Sequence, residues 1–134
     1  MTIKVGKLKG VGEELAASLK AAGIDDSEKF LAAAGKPADR KALAEKHGVD
    51  ARQLLDLANR ADLVRIKGVG SVYADLLEHA GVDTVIELRN RNADNLFAKL
   101  GESVAALGVK RAPRIEEVRN WVEQAKQLER AVHH

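Results

Sequence analysis

Two short stretches of the chain place lysine and glycine in the same order. Residues 8–12 read LKGVG and residues 66–70 read IKGVG. Two glycines around a valine permit a tight turn and a close backbone approach that a Cβ would block. When such a turn leads into a helix, the free N–H groups of the first helical turn point outward, where an anion can meet them. The pattern therefore offers phosphate binding by backbone amides, with nearby cations adding charge.

The second copy is the better candidate for this chemistry. Its expected phosphate-binding residues are Gly68, Val69, Gly70 and Ser71, with charge from Arg65 and Lys67. The matching residues of the first copy are Gly10, Val11 and Gly12, with Lys7 and Lys9. There, however, Glu13 and Glu14 follow directly, and they suit the helix dipole while repelling a phosphate. The alternative for both copies is that they are only tight connectors between helices.

A further basic cluster precedes the last helix. Lys110, Arg111 and Arg114 lie where positive charge opposes the helix dipole, which is a hint of function. The alternative is a solvated basic loop. Net charge gives no additional support, because 22 Lys and Arg face 20 Asp and Glu, and the total is only +2. A nucleic-acid interface would have to depend on these local clusters.

The sequence does not favour catalysis. It has no cysteine, no Walker loop and no strand-linked dinucleotide fingerprint. His47 and His79 are isolated, and His133 and His134 are either native or a tag remnant. Asp75 and Asp83 could be imagined in a glycosylase role, but Asp83 matches Asp25 at a duplicated cap position and the chain is short for a base-flipping pocket. We therefore expect a non-enzymatic protein with no cofactor, metal or small-molecule substrate.

Composition and periodicity predict an all-α fold. Apolar residues make up 46% of the chain and aromatic residues 3%, without long alternating runs. The predicted helix boundaries include Pro37 to Gly48, an N-cap at Asp50, a capping box at Thr84 and Glu87, Asn92 to Gly108, and a last helix from Ile115 to about Arg130 with Pro113 in its first turn. Tyr73, Phe30, Phe97 and Trp121 are more typical of packing than of base stacking.

An internal repeat organises these elements. Gly23 and Asp25 match Gly81 and Asp83 at the offset of the two glycine turns, which indicates duplication. We expect one pseudo-symmetric domain over 1–134, built of two repeats at about 1–63 and 64–131, with 132–134 a disordered tail. The first turn lacks room for a preceding helix. The last helix is therefore expected to pack beside it and close the domain, and exchange of this helix between two subunits would meet the same need.

The segments RIKGVGSVYADLLEHAGVDTVIELRNRNADNL and PRIEEVRNWVEQAKQL carry a family resemblance, as do GKPADRKALAEKHGV and ADLVRIKGVG. They resemble a bacterial family of uncharacterised function with tandem helix-hairpin-helix-like motifs, over nearly the whole chain. The resemblance implies the fold, and it implies DNA binding as the function generally supposed for such hairpins.

Two functions remain as expectations. The first is a sequence-independent DNA-binding module of weak, salt-dependent affinity, with two to four counterions released per site. The second is a protein-interaction or scaffolding module, in which surface apolar residues such as Leu55 or Val85 would dock a partner. A cytoplasmic location is expected, because no stretch resembles a membrane span or a signal peptide.

Overall fold

The computed structural model describes residues 2–134, and within them the secondary structure is helical. A 3-10 turn spans Val5–Lys7. The helices are α1 Glu13–Ala21, α2 Ser27–Ala34, α3 Pro37–His47, α4 Ala51–Leu63, α5 Ser71–His79, α6 Val85–Arg89, α7 Ala93–Leu107 and α8 Ile115–Lys126. An isolated bridge joins Lys4 to Asp26. The all-α prediction is confirmed. No helix among residues 2–134 has the length and apolarity needed to cross a bilayer.

Local capping signals explain where four of the eight described helices begin. The side chains of Asp50, Thr84 and Asn92 accept hydrogen bonds from backbone N–H groups at distances of 2.9, 3.3 and 3.0 Å. These caps were predicted, and Asp26 caps α2 in the same way at 2.8 Å. A polar side chain at this position satisfies an amide that has no partner within the helix. Local sequence therefore fixes these four helix starts.

The last helix is shorter than predicted. It begins at Ile115, two residues after Pro113, and ends at Lys126 rather than near Arg130. Its buried face consists of Val118, Trp121, Val122 and Ala125 and packs against α6 and α7. On the other side of the molecule α2 packs against both α3 and α4. These contacts join into one apolar core, in which Val85 is fully buried rather than exposed as expected and Leu55 is half-buried.

The two glycine turns have the same local backbone. Gly10 and Gly68 both have a φ of 96°. The amide of Val11 donates to Leu8 O over 3.2 Å, and the amide of Val69 donates to Ile66 O over 3.1 Å. The repeat in the sequence is therefore also a repeat of turn conformation.

The helix that covers each turn differs from the prediction. Trp121 of α8 lies against Gly68, the second turn, whereas the first turn has Leu57 and Arg60 of α4 beside Gly10. The prediction that the last helix packs beside the first turn is therefore wrong, because α4 already packs there. A glycine at each turn leaves room for these large side chains.

After α8 the chain contacts the first repeat through residues 131–133, which we call the C-terminal strap. The side chain of Val132 is 1% exposed. The amide of His133 donates to Gly35 O over 2.8 Å, and the buried guanidinium of Arg40 donates to His133 O and to Ala34 O. This differs from the disordered tail predicted for 132–134, because one apolar side chain and a backbone hydrogen bond hold the segment in place.

Candidate functional site

The two glycine turns face each other across an open cleft of about 1020 Å³, which we call the two-turn cleft. It is lined by residues 6–11, 68, 70–73, 75 and 107–111. The fold thereby brings together nine of the predicted site residues from three distant parts of the sequence: Lys7, Lys9, Gly10, Val11, Gly68, Gly70, Ser71, Lys110 and Arg111. The predicted residues Gly12, Arg65, Lys67, Val69 and Arg114 do not line it.

The start of α5 forms one wall of the cleft and has no side-chain cap. Its N-cap residue is Gly70, and the first backbone hydrogen bond of the helix runs from Ala74 N to Gly70 O over 2.9 Å. Among the described residues, nothing accepts from the amides of Ser71, Val72 and Tyr73. These groups carry the positive end of the helix dipole. They suit an anion that enters the cleft.

The start of α1 is also uncapped but faces elsewhere. Its N-cap is Gly12, which with Glu14 lines a separate hollow of about 430 Å³ beside His47. Glu13 and Glu14 are both exposed in the first turn of this helix. The first turn therefore contributes its loop and its lysines to the two-turn cleft, whereas the second contributes a helix end.

Cations outnumber carboxylates on the described lining of the cleft. The side chains of Lys7 and Lys110 are exposed and have no hydrogen-bond or ion-pair partner within residues 2–134. Arg111 is 70% exposed and lies 3.3 Å from Glu117, which is outside the lining. Lys9 Nζ lies 2.8 Å from Oδ2 of Asp75. Three of the four cations are thus free or only loosely paired.

Arg65 and Lys67 have structural contacts instead. The Arg65 guanidinium donates to Asp62 Oδ1 and to Glu129 O, which ties the end of α4 to the segment after α8. The backbone of Lys67 is held by one side chain, since its amide donates to Gln124 Oε1 over 2.8 Å and its carbonyl accepts from Gln124 Nε2 over 3.0 Å. Val69 is fully buried beneath the turn.

Arg114 lies at the start of α8, where the side chain of Glu117 accepts hydrogen bonds from several groups. Oε1 of Glu117 accepts from Arg114 N over 3.1 Å, with the guanidinium of Arg114 3.4 Å away. The backbone hydrogen bond, with help from the charge of Arg111, holds the pKa of Glu117 below its usual value. The positive charge of Arg114, which is unfavourable at a helix N-terminus, is therefore offset by the carboxylate of Glu117.

Sequence reasoning missed three features of the lining. Val72 is 59% exposed, and Leu107, at the end of α7, is 37% exposed. Asp75 had been considered only in a catalytic role. The signal for Val72 was present, because it directly follows the second turn at a position filled by Glu14 in the first repeat. Nothing in the sequence places Leu107 or Asp75 in the cleft.

Three of the four aromatic residues pack against the rest of the protein, and Phe97 is the exception. Phe30 is fully buried and Trp121 is 1% exposed. The Tyr73 ring lies 5.2 Å from that of Trp121, and its hydroxyl donates to Arg111 O over 3.0 Å. Phe97 is partly exposed on α7 and does not line the cleft. Tyr73 therefore links the wall of the cleft at α5 to the basic segment opposite.

Comparison with known proteins gives a family but no activity. A family model described as Domain of unknown function (DUF4332) matches residues 9–128. No curated protein and no solved structure matches the chain. Within residues 2–134, no group of three His, Asp or Glu residues is placed to hold a metal ion.

Proposed function

The chain belongs to the DUF4332 family, a domain of unknown function, and we propose that it is a non-enzymatic module that binds DNA by its phosphate backbone. The observation that carries this proposal is the convergence of both glycine turns and the basic segment 107–111 on one cleft. Free helix amides and flexible cations together suit phosphate groups. The proposed site is the two-turn cleft.

The proposed binding mode starts at the second turn. The amides of Ser71, Val72 and Tyr73 donate to the oxygens of one phosphate, and the dipole of α5 favours its charge. Lys7, Lys110 and Arg111 then contact neighbouring phosphates of the same strand. Phosphates are the same at every nucleotide, so this mode fixes position without reading sequence.

Few cations are engaged, and this sets the expected affinity. Two to four phosphate contacts give a log–log salt slope of about −2 to −4, since each contact contributes roughly −0.9. Binding to duplex DNA should therefore be weak at physiological salt and strengthen steeply as salt is lowered. A titration of a fluorescent duplex by anisotropy at about 20 and 150 mM salt measures both quantities.

A charge-reversal pair tests the site. Lys110→Glu with Arg111→Glu should weaken duplex binding by at least about tenfold, because two phosphate contacts become repulsive. The matched control is Lys41→Glu with Lys46→Glu, two exposed lysines of α3 away from the cleft. The control should retain affinity within about twofold beyond the effect of net charge. Equal losses in the two variants, or no binding by the wild type at about 20 mM salt, would contradict the proposal.

The exposed apolar lining favours one alternative, a protein-interaction module in which the turns are only structural. Val72 and Leu107 present apolar surface inside a basic rim, an arrangement that suits a partner segment with acidic and apolar side chains. Val72→Ser separates the two functions, because it keeps the amide and removes only the apolar contact. Under the DNA proposal duplex affinity stays within about twofold; a loss comparable to that of the charge reversal would favour the alternative.

A further inference from the structure

We propose that Asp75 limits the affinity of the two-turn cleft for polyanions by competing with them for Lys9. This inference rests on the proposed function, whose site it deepens. It assigns to the cleft a built-in limit on affinity, in which a carboxylate of the protein occupies a cation that a phosphate would otherwise use.

The geometry that carries it is an ion pair across the cleft. Lys9 Nζ, from the first turn, lies 2.8 Å from Oδ2 of Asp75, on α5 after the second turn. The lysine side chain is 58% exposed and that of the aspartate 22% exposed. Asp75 is the sole carboxylate among the described residues of the lining. An incoming phosphate therefore meets a single negative side chain there, already bound to one of four cations.

The place of Asp75 on its helix strengthens the competition. It lies four residues after Ser71, one turn further along the same face of α5. Four residues advance about 6 Å along a helix, so its charge stands close to a phosphate held by the amides of the first turn. The matching residue of the first repeat is Ala17, which has no charge. The carboxylate is thus peculiar to the wall that carries the free amides.

A purely structural clamp is the competing explanation, and it predicts the opposite result. If the ion pair only holds the first turn against α5, its removal loosens the cleft and weakens binding. If Asp75 competes for Lys9, its removal frees the lysine and strengthens binding. The sign of the change in affinity therefore separates the two roles.

The experiment is Asp75→Asn in the full chain, titrated against the same fluorescent duplex. We expect affinity to rise about three- to tenfold and the log–log salt slope to steepen by roughly 0.9, since one further cation contacts phosphate. Lys9→Gln alone should weaken wild-type binding, because it leaves the Asp75 carboxylate unpaired and close to the bound phosphate. The same substitution added to Asp75→Asn should return affinity close to the wild-type value.

The matched control is Glu123→Gln on α8. Glu123 is ion-paired to Lys126 at 2.9 Å and does not line the cleft, so this variant makes the same change in net charge elsewhere. An equal gain in affinity in the control would overturn the inference. Unchanged or weaker binding by Asp75→Asn, while the Lys110/Arg111 reversal still weakens binding by at least about tenfold, would overturn the inference and leave the proposed function standing. No binding by wild type or Asp75→Asn at about 20 mM salt would overturn both.

Discussion

Gly68 belongs to the repeated sequence motif, lies against α8 and lines the two-turn cleft. Its φ of 96° lies in the region that L side chains rarely adopt. A Cβ built at this position would lie 3.3 Å from Nε1 of Trp121, a buried ring that has little room to move. The residue thus lets the second turn bend and lets α8 approach it. The positions of the α5 amides depend on both.

We therefore expect Gly68→Ala to destabilise the protein by about 1–3 kcal/mol, from backbone strain and crowding of the indole together. Gly101→Ala is the matched control, because Gly101 lies within α7 and a Cβ there meets nothing within 4 Å. This control should stabilise the protein by roughly 0.5–1 kcal/mol. Urea denaturation followed by circular dichroism measures both. Equal effects of the two substitutions would show that Gly68 is not conformationally required.

At the scale of elements, capped and uncapped helix starts have different roles. Asp26, Asp50, Thr84 and Asn92 close the starts of α2, α4, α6 and α7 with their own side chains. The starts of α1 and α5 follow the glycine turns and have no such cap. Stability is thus secured at four helix starts, while the amides of α5 are left available at the cleft.

The start of α8 offers a pH test of one such cap. Glu117 accepts from Arg114 N, and this lowers the pKa of the carboxyl group. A lowered folded-state pKa means that the stabilisation is present above the unfolded value, about 4.3, and is lost as pH falls through the folded value. Glu117→Gln should therefore cost about 0.5–1 kcal/mol at neutral pH, with the difference from wild type vanishing in acid.

The control for this cap is Glu116→Gln, in the same helical turn, because the Glu116 side chain is exposed and makes no hydrogen bond within the described chain. It should cost less than Glu117→Gln at neutral pH, because it loses only an interaction with the helix dipole. Thermal melts from pH 7 down to about pH 3 give the comparison. A Glu117→Gln deficit that stays constant over this range would rule out the cap as its source.

At the scale of the whole molecule, the C-terminal strap joins the end of the chain to its first half. Val132 enters the core, and the buried guanidinium of Arg40 uses the carbonyl groups of Ala34, Gly35 and His133 as its acceptors. A buried cation that loses an acceptor is costly. The strap therefore belongs to the cooperative unit.

Val132→Ala should lower the free energy of unfolding by about 1–3 kcal/mol, the range for removing buried methyl groups and leaving a cavity. His134→Ala, at an exposed neighbouring position, should leave stability within about 0.5 kcal/mol. Denaturant unfolding of the two variants side by side measures the difference. Wild-type stability of the Val132 variant would mean that the strap is not part of the core.

Local features of this fold could be predicted from the sequence, and tertiary ones could not. The caps at Asp50, Thr84 and Asn92 and the glycine ends of α3 and α7 depend on neighbouring residues, so they could be deduced. The helix that covers each turn could not, because α4 and α8 carry similar apolar stripes and only long-range packing decides between them. Long-range packing also explains why Arg65 was predicted to bind phosphate. In the structure its guanidinium instead donates hydrogen bonds to Asp62 Oδ1 and to Glu129 O.

The candidate site shows the same division. The amides of α5 follow from the motif, and the basic segment 110–111 follows from its unusual position before a helix. That these meet in one cleft together with Asp75, Val72 and Leu107 depends on contacts between residues up to about one hundred positions apart. Such juxtaposition has no local signal in a single sequence.

The side chain of Gln124 forms hydrogen bonds with both the amide and the carbonyl group of Lys67. These bonds hold the second turn in its conformation in the absence of a ligand. If the turn binds DNA as proposed, preorganisation of this kind means that little conformational entropy is lost on association. Encounter should then proceed without a slow rearrangement step, at a rate set by diffusion and electrostatic attraction. In a Gln124→Ala variant the second turn would have to become ordered during binding. The association rate should therefore fall, while the dissociation rate stays nearly constant.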